Sequence, residues 1–95
     1  MENKAIQNIT REDFIGYWEN SDKRIKLYVN GKSYLTIGDK VYAGTLLIEY
    51  LADCEECVNC LRLTVGKHSF FIKQINQNGF YLTTEAGEVF ISKPN

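Results

Sequence analysis

The residues best equipped for chemistry lie close together. Cys54, Cys57 and Cys60 form Cys-x-x-Cys-x-x-Cys, and His68 is the only histidine in the chain. Thiolates at this spacing could wrap one soft ion near a hairpin, and zinc would then take His68 as its fourth ligand. An iron–sulfur cluster fits less well, because it normally draws on four protein ligands. Redox use of the pair is disfavoured by charge. A reactive Cys-x-x-Cys needs a helix N-terminus or cations to lower its thiol pKa, whereas here Asp53, Glu55 and Glu56 crowd the segment. Three free, reduced thiols and no cofactor are therefore the expectation for a cytoplasmic chain, with zinc as the alternative.

His68 could also act as a general base, which requires a nucleophile beside it and a third group to orient the ring. Ser69 is adjacent in sequence, but neighbouring side chains on a strand face opposite ways. The sequence has no triad spacing, Gly-rich phosphate loop or paired-carboxylate motif, so it reads as a non-enzymatic protein.

What must position these groups is strand. Residue counts favour it: twelve aromatics, twenty Val, Ile and Thr, and only four Ala occur among 95 residues. β-branched and aromatic side chains suit a pleated, half-buried surface and lose freedom in helices. That length allows one domain, 1–95. A net charge of −1 and 44% apolar content exclude a disordered segment. There is no basic block for nucleic acid, no aliphatic run long enough for a membrane span, and no layout of a signal peptide.

Gly and Asn recur at short intervals: Asn30-Gly31, Gly38-Asp39, Gly66-Lys67, Asn78-Gly79 and Ala86-Gly87. This spacing predicts an antiparallel meander of hairpins. Ile25, Leu27 and Val29 share one face, with Arg24, Lys26 and Tyr28 on the other. Leu35 and Ile37 resume the apolar face after Asn30-Gly31, a two-residue hairpin signal. Leu61, Leu63 and Val65 alternate with Arg62 and Thr64, and Phe80 and Leu82 with Tyr81 and Thr83. Phe70-Phe71-Ile72 breaks alternation, as a bulge or a strand covered on both faces would. The expected fold class is all-β, a small antiparallel meander barrel of about eight strands with a short N-terminal helical turn. In that turn Thr10 is the N-cap, Glu12 and Asp13 occupy the first turn, and Ile9 and Phe14 form a hydrophobic staple.

Phe14-Ile15-Gly16-Tyr17-Trp18, a helical turn running into Gly-x-Trp on a first strand, resembles the opening of lipocalin-like (calycin-type) β-barrels. The segments 71–75, 79–84 and 87–91 look like the last three strands of small bacterial lipocalin-like domains. The resemblance implies a barrel plugged at one end by the N-terminal turn, with Phe14, Gly16 and Trp18 building that end. It also implies a basic side chain from the last strand over the tryptophan, for which Lys93 is the candidate here.

Besides a metal-binding or thiol-sensing role for the Cys-x-x-Cys-x-x-Cys segment, two binding modes follow. The preferred one is capture of a partner protein, in the manner of an immunity or inhibitor protein, through exterior tyrosines; Tyr28 and Tyr42 are expected on the solvent face. The alternative is carriage of a small apolar ligand, with Leu35, Leu63 and Phe80 pointing inward. A barrel this short has little interior, which favours the first mode unless the end away from Trp18 is open.

Overall fold

A computed structural model describes residues 4–55 and 57–94. Nine antiparallel strands, one more than expected, form a single curled sheet, a half-barrel. They are β1 (Gly16–Asn20), β2 (Ile25–Val29), β3 (Ser33–Ile37), β4 (Lys40–Gly44), β5 (Leu46–Asp53), β6 (Val58–Val65), β7 (His68–Asn76), β8 (Gly79–Thr84) and β9 (Gly87–Ser92). Their order is β4-β3-β2-β1-β9-β8-β7-β6-β5. Two local meanders, β1–β4 and β5–β9, thus meet where β1 lies against β9. That junction is short, with Glu19 opposite Ser92, reinforced by the Asn20 amide donating to the Phe90 carbonyl at 2.8 Å.

The core lies on the concave face. Ile25, Leu27 and Val29 are buried while Lys26 and Tyr28 are exposed, as alternation requires. Leu35, Leu61, Leu63, Phe80, Leu82 and Ile91 complete the interior. The apolar interruption at residues 70–72 precedes a register shift between Ile72 and Gln74 on β7, the bulge anticipated nearby.

Two hairpin signals act differently from expectation. Asn30 and Gly31 belong to a three-residue connection, because Tyr28 pairs with Tyr34 and β3 begins at Ser33. Gly79 is the first residue of β8 rather than part of the turn, and a Cβ there would stand 2.1 Å from the Ile91 carbonyl oxygen. Glycine is needed at that position for close backbone approach. The turn itself is organised by Asn76, whose side-chain oxygen accepts from the Asn78 and Gly79 amides at 2.8 and 3.1 Å.

The N-terminal segment plugs one end. Its helical part is a 3-10 turn, Arg11–Phe14, preceded by a shorter one at Ile6–Asn8. Asp13 closes a capping box: its carboxylate accepts from the Thr10 amide at 2.9 Å and from Lys4 Nζ at 2.8 Å. Burial alone would raise the Asp13 pKa. The hydrogen bonds from Lys4 and Thr10, together with the Lys4 charge, outweigh it and hold the carboxyl below its ordinary value. Ile9 and Phe14 are buried, and Phe14, Trp18 and Phe80 form a ring triangle with centroids 5.1–6.2 Å apart. The Trp18 indole N–H donates to the Phe14 carbonyl at 2.8 Å, satisfying its one polar atom inside the core.

Candidate functional site

At the end away from Trp18 the half-barrel keeps a mouth. Three turns converge there, β1–β2, β3–β4 and β8–β9. Arg24 ties the first two together. Its backbone is left-handed (φ 56°), its carbonyl accepts from the Gly38 amide at 3.0 Å, and its guanidinium donates to Asp39 at 3.0 Å. A non-glycine residue adopts that backbone only where its surroundings hold it. Lys40 and Glu85, 3.9 Å apart, link the β4 end of the second turn to the third.

Inside this rim lies a cleft of about 390 Å³ walled by Ile25, Ile37, Tyr42, Phe70 and Val89. Lys23, Asp39, Lys40 and Glu85 stand around it, and the Glu85 side chain is 96% exposed, so the cleft opens to water. Below, Leu35, Leu63 and Phe80 point inward as expected but are fully buried in packed core, and none of them lines the cleft. Two other depressions of similar volume are lined largely by polar and charged side chains. Lining rather than size singles out the mouth, because ligand sites combine apolar walls with few polar groups.

Tyr42 corrects one expectation. It pairs with Leu35 across β3–β4 and therefore shares the inner face. Its ring meets His68 at 4.5 Å and Phe70 at 5.4 Å, both edge-to-face. Val41, 64% exposed, takes the outward position instead. Tyr28 does face solvent, at 44% exposure, in register between Tyr17 and Tyr34.

The cysteines depart from expectation as well. Cys57 and Cys60 are joined in a disulfide, leaving Cys54 as the free thiol. Cys60 is fully buried and cannot present a thiolate. His68 pairs with Val65 at the opposite end of the β6–β7 hairpin. Five residues at about 3.3 Å each separate it from Cys60, roughly 17 Å. No metal-binding group of His, Cys, Asp and Glu occurs among the described residues, and the four candidate ligands are not brought together. Glu56 lies outside the described residues. Ser69 turns away from His68, its hydroxyl 3.0 Å from that of Thr64.

Phe14 and Trp18 are buried at the plugged end, and Lys93 stands beside Gly16 and over the Trp18 ring, 5.1 Å from its centre. Among the described residues no helix is long and apolar enough to cross a membrane. The chain matches no family model, no curated protein and no solved structure.

Proposed function

We propose that this chain is a lipocalin-like, non-enzymatic binding module that takes a compact apolar molecule at the mouth of its half-barrel. The open cleft opposite Trp18 carries the reading. Its volume falls in the range of small-molecule sites, about 300–1,000 Å³, and Ile37, Tyr42 and Phe70 on its walls are part-exposed. The one-sided closure, with a 3-10 plug under a tryptophan and a lysine above it, supports kinship in plan with lipocalin-like barrels. Ligand screening by amide chemical-shift mapping tests the reading. Small apolar molecules should shift Ile25, Ile37, Tyr42 and Phe70, and Ile37→Trp, which fills the cleft from β3, should remove the response. Shifts confined to the outer face would overturn it.

A partner protein at the exterior is a second reading, supported by the in-register exposed pair Tyr28 and Tyr34. Tyr42 no longer belongs to it.

A further inference from the structure

We propose that the mouth selects a compact planar aromatic molecule carrying an anionic group, such as an aromatic carboxylic acid, over an aliphatic chain. This rests on the mouth reading above and adds the ligand class. Three features of the site lead to it.

The first is the aromatic wall. Tyr42 and Phe70 both line the mouth and stand edge-to-face, with ring planes at 73°, so one side of the mouth is walled by two rings, and His68 packs against Tyr42 beside it. Rings packed against rings gain about 0.5–1.5 kcal/mol beyond the area they bury, a gain an alkyl chain does not share. Branched side chains of Ile25, Ile37 and Val89 supply the remaining wall.

The second is depth. Directly beneath the mouth the interior is filled: Leu35, Leu63 and Leu82 are each wholly buried. A long chain entering the mouth meets these packed side chains, so a ligand must be short and wide.

The third is charge at the rim. Asp39 is engaged by Arg24 at 3.0 Å. Lys40 meets Glu85 at 3.9 Å, with both side chains well exposed, and such a contact is weak and readily exchanged. Lys23 stands on the same rim. With Asp39 held by Arg24 from outside the cleft, Lys23 and Lys40 face Glu85 on the rim, and an acid group on a ring seated against Tyr42 can take Lys40 from Glu85.

Titration calorimetry at low salt with 2-naphthoate, its neutral amide 2-naphthamide, and decanoate tests each element on the intact protein. 2-Naphthoate should bind, decanoate at least about tenfold more weakly, and the amide about tenfold more weakly, the loss of one charge-assisted contact. Lys23→Gln with Lys40→Gln should bring the acid down to the amide. Tyr42→Leu, which keeps an apolar wall without the ring, should weaken 2-naphthoate and leave decanoate unchanged; Phe70→Leu is the equivalent probe should Tyr42→Leu fail to fold. Decanoate binding as tightly as 2-naphthoate overturns the aromatic preference, and equal affinity for acid and amide overturns the anionic one; both leave the mouth reading standing. Absence of binding and of mouth shifts with all three molecules overturns both proposals.

Discussion

Lys93 Nζ lies 5.1 Å from the centre of the Trp18 ring, and the same ammonium stands 3.6 Å from where a Cβ on Gly16 would be. The last residue but two of the chain thus covers its first strand and seals the plugged end. A cation over an indole contributes about 0.5–2 kcal/mol depending on desolvation, well below the apolar burial beneath it. Trp18→Ala should cost about 3–5 kcal/mol in denaturant unfolding, as other large aromatic truncations do. Lys93→Ala should cost no more than about 1 kcal/mol. A larger loss at Lys93 than at Trp18 would reverse this hierarchy.

The disulfide sets a countable outcome. Unfolded without reductant, the protein should expose one reactive thiol, Cys54; after reduction it should expose three. Mass spectrometry after alkylation reads the difference directly, and three thiols before reduction would contradict the Cys57–Cys60 link.

Asp13 fixes a pH dependence. Its folded pKa is depressed, so the stability it confers is present above the ordinary carboxylate pKa, about 3.9, and is lost as pH falls through the lower folded value. Asp13→Asn should therefore destabilise the protein at neutral pH and flatten the loss of stability below about pH 4. Thermal unfolding across pH 2–7 checks both limbs; an unchanged acid limb would remove Asp13 from the plug.

Glycines separate by space. Gly79→Ala places a methyl against the Ile91 carbonyl and should cost about 2 kcal/mol or more, a strain-type loss. Gly31→Ala meets nothing within 4 Å and should change stability by less than about 1 kcal/mol. Equal effects in chemical denaturation would mean that β8 and β9 can part at Gly79 without penalty.

Tyrosine truncations divide likewise. Tyr28→Ala, on the outer face, should move stability by only about 0.5 kcal/mol. Tyr42→Ala should cost more, because its ring packs on His68 and Phe70. Identical melting curves would return Tyr42 to the surface.

Much of the fold was legible where alternation was strict. β2 alternates buried and exposed along its length because five consecutive residues alternate Ile, Lys, Leu, Tyr, Val. β4 misled because Val41 and Tyr42 are both fit for a core, and alternation alone does not say which is inside. The turn does: counting outward from Gly38-Asp39 pairs Ile37 with Lys40 and Leu35 with Tyr42, which places the tyrosine on the leucine's face. The cysteine segment misled for another reason. Regular spacing suggested a shared ligand, but Cys57 and Cys60 are close enough to bond each other, and His68 is carried off along β7. The mouth was not legible, because it forms from turns near residues 23, 39 and 85 that only the curl of the sheet brings together.

The short β1–β9 junction has a consequence for how the chain assembles. Within each meander every strand pairs with its sequence neighbour, so those contacts close small loops and form early. Glu19 opposite Ser92 and Asn20 against Phe90 instead join residues about seventy positions apart, and closing so long a loop is entropically the costliest step. We expect two preformed ribbons to dock last along this line. Asn20→Ala should then quicken unfolding while leaving the folding rate nearly unchanged, and a slowed folding limb would place the junction in the nucleus instead.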